Sequence, residues 1–292
     1  MSGDDRLSLL APAKINLSLH VRGRLPDGYH ALESLVAFAD IGDRMGFEKA
    51  AETSLSLSGP FAAGLAVDDN LVLKAHALLT DYVGRDLPCH MTLEKNLPIA
   101  SGIGGGSADA AATLNGLNRY FDLALTPHAL SEIAAALGAD VPVCLSSAPA
   151  WMTGIGHDVT RLSALPAADI VLVNPMQAVA TPAVFEALAA SPALASSQPV
   201  PERFTDLAAL IVFAGAQGNA LTGVAQALVP EIGDCLATLV DAGAYFAAMS
   251  GSGATCFALA PSGDGAAIAA RYGALRPRDW LQAGRLLGAV AV

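Results

Sequence analysis

Apolar and polar residues alternate from Ile15 to Arg22: Ile15, Leu17, Leu19 and Val21 fall between Asn16, Ser18, His20 and Arg22. A period of two predicts a half-buried strand, and the apolar run Leu7 to Leu10 predicts another, the two bracketing an Ala11-Pro12-Ala13-Lys14 turn. Thr53 to Ser58 and His90 to Glu94 read as further short strands. At Asn70 the period lengthens to that of a helix. Leu71, Ala75, Leu78 and Leu79 share one face through Tyr82, and Asn70 stands where a cap belongs. Ser107 to Tyr120 and Pro127 to Leu137 read as helices, the second ended by Gly138. Val141 to Trp151 is punctuated by proline, and Ile170 to Asn174 is an apolar strand. Ala189 to Glu202, rich in Ala, Ser and Pro, reads as a loop; beyond it helices alternate with a strand at Thr255 to Ala260. The pattern predicts an α+β chain of two lobes, divided near Leu162 to Asp169 into 1–165 and 166–292.

Composition narrows the function. Of 292 residues 53% are apolar and 15% charged, enough apolar surface for a large core and too little charge for a disordered chain. Sixteen Lys and Arg against 27 Asp and Glu leave a net charge of −11, which repels a phosphate backbone and disfavours nucleic acid as a partner. Small anions are not excluded, because a few lysines can make a local positive pocket. The four cysteines, Cys89, Cys144, Cys235 and Cys256, show no metal-ligand spacing and read as reduced thiols of a cytoplasmic protein. The acidic start, Met1 to Arg6, does not look like a signal peptide. Leu207 to Pro230 carries no formal charge, but Gly215, Gln217, Gly218, Asn219 and Gln226 interrupt it. It reads as buried helix, polar turn, helix, and no membrane span is expected.

The most informative segment is Lys95-Asn96-Leu97-Pro98-Ile99-Ala100-Ser101-Gly102-Ile103-Gly104-Gly105-Gly106-Ser107-Ala108-Asp109-Ala110, between a strand and a small-residue helix. Glycines there let successive backbone N–H groups converge on an anion, and the helix start adds partial positive charge. The segment lacks the Lys-Ser or Lys-Thr of a Walker A loop and the third glycine of a dinucleotide fingerprint. By itself it is equally a tight turn whose glycines only permit close packing. Three other segments bear on the choice. Lys14 and Asn16 share the polar face of a strand. Asp140, in Gly138-Ala139-Asp140-Val141-Pro142, is an acid in an apolar stretch: buried with a cation, functional, or a solvated loop residue. Met249-Ser250-Gly251-Ser252-Gly253-Ala254-Thr255 is a second Gly/Ser turn entering a strand.

Together these segments, in this order, resemble the GHMP kinase superfamily. Asp27-Gly28-Tyr29-His30 sharpens the resemblance to the branch that phosphorylates a cytidyl diphosphate of methylerythritol, a small-molecule substrate. The resemblance implies an N-terminal ribosomal-protein-S5-domain-2-like lobe, a C-terminal ferredoxin-like lobe, ATP and Mg²⁺ as cofactors, and a monomer or homodimer. Carried over residue by residue, it implies Asp140 as catalytic base with Lys14 as its partner. Pro98 to Ala108 would surround the ATP phosphates, Ser107 would stand near Mg²⁺, and Asn70 and Lys95 would lie at the adenosine end. Tyr29 and His30 would hold the cytosine with Phe185 on its opposite face, and Asn16 and Thr181 would meet the remainder of that substrate. Two departures stand out: Ala108 replaces a second serine after the glycines, and Gly218-Asn219-Ala220-Leu221 lacks the family's usual Asp after Asn. The second change reads as structural.

Overall fold

A computed structural model describes residues 6–24, 30–156, 158–189 and 199–288. In chain order, β1 is Arg6–Arg24, β2 His30–Lys49, β3 Ser54–Ser58, α1 Leu71–Val83, β4 Cys89–Glu94, α2 Gly105–Tyr120, α3 Pro127–Leu137 and α4 Val141–Ser146. There follow β5 Ala150–Gly154, β6 Asp158–Arg161, β7 Asp169–Asn174, α5 Thr181–Ala189, α6 Leu207–Gln217, α7 Thr222–Leu228, α8 Glu231–Asp241, β8 Phe246–Met249, β9 Cys256–Ala260, α9 Gly265–Leu275 and β10 Trp280–Arg285. The chain packs into two units, each assembled from separated segments: one from residues 1–13, 42–99 and 104–146, the other from 14–41, 100–103 and 147–292.

In the first unit, β4 pairs antiparallel with the end of β2, from Arg44 to Lys49, and parallel with β3. The expected turn at Ala11 to Lys14 is absent, and β1 runs straight through it. Gly42 makes this possible: a Cβ there would stand 2.3 Å from the Ala11 carbonyl oxygen and 2.9 Å from Pro12 Cα, so only glycine lets the two backbones lie so close. α1 begins as expected, the Asn70 side chain accepting from Val72 N at 3.0 Å, and ends at Gly84 in the left-handed region. α3 starts from a Thr126 cap with Pro127 in its first turn and stops at Gly138. The Pro-punctuated stretch after it holds α4 and then β5.

In the second unit, the start of β2 pairs antiparallel with β5, and β5 with β6. A separate four-stranded sheet has the order β10-β7-β9-β8, antiparallel throughout. Its core joins Val171 and Val173 of β7, Cys256 and Ala258 of β9, Ile232, Cys235 and Leu239 of α8, and Ile268 and Tyr272 of α9. The sequence pattern named no element over 30–49; the apolar run Leu35 to Ala39 inside β2 is wholly buried, so it lacks the alternation that marks a one-sided strand. Helix, polar turn and helix do follow one another from Leu207 to Leu228, although Val212 is exposed. Of the loop expected at 189–202, residues 190–198 lie outside the described residues. Among the described residues no single helix is long and apolar enough to cross a membrane.

Candidate active site

The glycine-rich segment leaves β4 at Lys95 and enters α2 at Gly105. Positive φ recurs at alternate positions, Ala100 (51°), Gly102 (76°) and Gly104 (62°), the alternation that turns neighbouring N–H groups to one side. Among the described residues no side chain caps α2, so its first N–H groups have donors to offer an anion. Such an arrangement can hold an anion. Ser107, half-buried, is in the first turn, and Ala108 is buried.

Lys95 is itself buried, its ammonium paired with Asp43 and, at 2.8 Å, with Asp109. Two of its three N–H groups are thereby used, leaving one for any other partner. Asn70 spends its side-chain oxygen on the α1 cap. Asp140 is half-buried immediately before α4. These residues belong to the first unit.

The second unit holds Lys14, Asn16, His30, Thr181 and Phe185. Lys14 is buried, and its backbone N donates to the Ile103 carbonyl at 3.0 Å. Asn16 donates from its backbone to Ser250 Oγ (3.1 Å) and from its side chain to Ser34 Oγ (2.7 Å). Thr181 and Ser252 share a hydroxyl hydrogen bond of 2.8 Å. His30 stacks on Phe185 with ring centroids 5.0 Å apart and planes 24° from parallel. Flat rings on either side of a base stand about twice a stacking distance apart, so no base fits between these two as they lie. Phe185 therefore backs His30 in this conformation. Asp27, Gly28 and Tyr29 lie outside the described residues.

The second Gly/Ser turn has a clear role within this unit. Ser250 Oγ donates to the Gly102 carbonyl at 3.0 Å, and Thr255 N donates to the Ser101 carbonyl at 3.1 Å. A Cβ on Gly102 would stand 2.5 Å from the Ser250 carbonyl oxygen, and one on Gly251 would stand 2.6 Å from that of Gly102. The two turns thus meet backbone to backbone. Asn219 braces the arrangement, its amide donating to the Met249 and Gly251 carbonyls at 2.9 and 2.8 Å. Ala220 contributes its backbone N, which donates to the Leu19 carbonyl of β1, so that contact needs no particular side chain at 220. Sequence reasoning missed Ser34, Asp43, Asp109, Ser250 and Asn219 as members of these networks.

A strand that leads through a glycine-rich turn into a helix with no side-chain cap is a frame for holding a phosphate. Residues 70–148 match the model of the GHMP kinases N terminal domain and 186–275 that of the GHMP kinases C terminal, and the chain belongs to the GHMP kinase family. Within that family it groups with the 4-diphosphocytidyl-2-C-methyl-D-erythritol kinases. The enzyme so named from Ruegeria pomeroyi is 50% identical over 285 residues, 96% of this chain and 99% of its own. That from Paracoccus denitrificans is 50% identical over 278 residues, 94% of this chain and 95% of its own. A crystal structure of 4-(cytidine 5'-diphospho)-2C-methyl-D-erythritol kinase superposes with a TM-score of 0.75 at 34% identity, covering 96% of this chain and 99% of that one. The mevalonate kinase of L. major, solved with R-mevalonate, gives 0.70 at 18% identity and shares the fold. The α+β fold of GHMP kinases and an ATP-dependent phosphotransferase activity are thereby established for this chain.

Proposed function

We propose that the chain transfers the γ-phosphoryl group of ATP to the 2-hydroxyl of 4-diphosphocytidyl-2-C-methyl-D-erythritol, giving the 2-phosphate and ADP, in non-mevalonate isoprenoid synthesis. The observation that carries this reading is half-identity, over essentially the whole chain, to enzymes bearing that name. The sequence Asp27-Gly28-Tyr29-His30 supports it independently. Residues 1–165 serve as the ATP-binding and catalytic domain and 166–292 as the C-terminal domain, a division supported by the two family models falling on either side of it.

A tertiary alcohol is a weak nucleophile, and it reacts when a carboxylate accepts its proton as the oxygen takes the phosphoryl group. Asp140 is that base in our reading. In the same reading the Lys14 ammonium offsets charge that builds on the transferred oxygens. Pro98 to Ala108 and the start of α2 hold the phosphates, with Asn70 and the remaining N–H of Lys95 toward the adenosine. Asn16 and Thr181 face the phosphate and alcohol part of the acceptor. Tyr29 and His30 take the cytosine, with Phe185 stacked behind His30. Among the described residues no group of three His, Cys, Asp or Glu side chains could cage a metal. That suits Mg²⁺ carried in on the ATP phosphates, which needs only one or two protein oxygens, and Ser107 offers a hydroxyl for it. The metal supplies charge neutralisation on the phosphates when bound.

The test is ADP release from ATP–Mg²⁺ with and without the cytidyl substrate, wild type beside Asp140→Asn. Release should depend on the substrate and should fall at least ~10²-fold in the variant, with ATP affinity nearly unchanged. Near-wild-type turnover in the variant would remove Asp140 from the role of base. Turnover of homoserine or mevalonate in place of the cytidyl compound would overturn the substrate assignment.

A further inference from the structure

Asn16 is held twice, once by its backbone and once by its side chain, and each time by a serine that the reaction chemistry does not use. Its backbone N donates to Ser250 Oγ at 3.1 Å, and Ser250 Oγ donates to the Gly102 carbonyl at 3.0 Å. Its side-chain amide meets Ser34 Oγ at 2.7 Å, and Ser34 Oγ lies 2.6 Å from the Ser18 carbonyl oxygen. Asn16, Ser18 and Ser34 are all buried, so water does not compete for these contacts. All of these residues belong to the second unit.

The Ser34 contacts fix which way round the amide lies. Two oxygens 2.6 Å apart share a hydrogen, and a carbonyl has none to give, so the single hydroxyl hydrogen of Ser34 lies on the Ser18 carbonyl. Ser34 Oγ then has only lone pairs to offer Asn16, and the side of the amide that faces it is the –NH₂ side. Reversing the amide would set two oxygens against each other and leave the –NH₂ without that acceptor. Asn16 Oδ1 is therefore turned the other way, and among the described residues nothing donates to it. Nor is it sealed in. Among the described residues the sealed polar atoms without a partner are His20 Nε2, Thr80 Oγ1 and Asp109 Oδ1, so Asn16 Oδ1 opens onto space that a ligand can enter.

We propose that Ser34 is a positioning residue of the acceptor site: it turns Asn16 Oδ1 toward the acceptor, so that Asn16 reads a hydroxyl of the methylerythritol part and not the diphosphate. An alcohol has a hydrogen to give to Oδ1. A diphosphate at neutral pH offers only acceptor oxygens and negative charge, and it repels a carbonyl oxygen. The other N–H of the amide suits either group, so the oxygen decides between them. The inference rests on the reading above in which Asn16 meets the cytidyl acceptor, and it narrows that contact to one chemical group.

The experiment is steady-state kinetics of the intact enzyme with ATP–Mg²⁺ and the cytidyl acceptor, beside calorimetric titration with cytidine diphosphate, which carries the base and the diphosphate but no polyol. Ser34→Ala should raise the KM for the acceptor about tenfold and leave the KM for ATP within about twofold. Cytidine diphosphate should bind the variant within about twofold of wild type. In an Asn16→Ala background the same change should add less than about twofold, because a residue that acts through another has nothing to act on once its partner is gone. Ser34→Thr keeps the hydroxyl and should hold the acceptor KM within about threefold. Where Ser34→Ala does not fold, Ser34→Cys, close in size but a poor acceptor, should show the same split. Equal weakening of cytidine diphosphate and of the full acceptor would overturn the assignment of Asn16 to the polyol. Equal rises in both KM values, or additive effects in the double variant, would reduce Ser34 to a general stabiliser. A wild type inactive on the cytidyl acceptor overturns the substrate reading and this inference with it; an active wild type beside an unaffected Ser34→Ala overturns this inference alone.

Discussion

Asp109 shows how much of a residue's chemistry its neighbours decide. In the sequence it is one acid in an alanine-rich helix. In the structure it is the second carboxylate around a single lysine, its ordinary value of 3.8 raised to about 7 by burial and by Asp43, against the opposing pull of Lys95. Between those values the folded chain retains a proton that the unfolded chain has lost, so this group's contribution to stability falls as pH rises from about 4 to about 7 and is level above that. Asp109→Asn should therefore show a flatter dependence of Tm on pH, and its Tm relative to wild type should be higher at about pH 8 than at about pH 5. Thermal unfolding at the two pH values checks this, and parallel curves would contradict it. The roles of Asp43 and Asp109 were not legible in the sequence, since Asp43 reaches Lys95 across 52 positions and Asp109 reaches it from the far side of a loop. His30 and Phe185 were legible as residue types suited to a base, but their direct stacking depends on where α5 lies.

At the scale of elements, α2 is built to lie close. Its glycines do different work at its two ends. Gly104 turns the chain into the helix through the left-handed region, while Gly116 lies against the ring of Phe47 in β2, where a Cβ would stand 2.2 Å from two ring carbons. Gly116→Ala gains helix propensity but forces the ring or the helix to move. Overpacking of this kind costs about 1–3 kcal/mol, more than the ~1 kcal/mol that Ala gains over Gly in a helix. The variant should be less stable in urea by a net loss of that order, and an unchanged or higher midpoint would show that Phe47 can yield. Helix starts and stops at Asn70, Pro127 and Gly138 act within a few residues and were read correctly, although the Thr126 cap was not named. The supposed turn at Ala11 to Lys14 was misread for the opposite reason: Pro12 suits a strand when a glycine on the neighbouring strand, Gly42, makes room for it.

For the whole molecule, the cysteines give a global reading of the fold. Among the described residues none of the four is in a disulfide, and all four are buried. Burial pushes the Cys89 and Cys235 thiols up to about 11 and raises Cys256 as well, so thiolate, the reactive form, is scarce at neutral pH. An excess of a thiol reagent at about pH 7.5 should label the native protein slowly and all four sites once it is denatured. Rapid labelling of a native thiol would reveal local opening at that position.

The sequence by itself determined the α+β class, the ends of the capped helices, the glycine loop and the chemical types at the candidate site, because each depends on residues close together in the chain. Only the tertiary structure decided that the compact units are assembled from interleaved segments, that Met249 to Thr255 grips Ala100 to Ile103, and that Lys95 is held between two acids. Those outcomes depend on close backbone approach and on the balance of buried charge, and both arise only when distant segments share the same few ångströms.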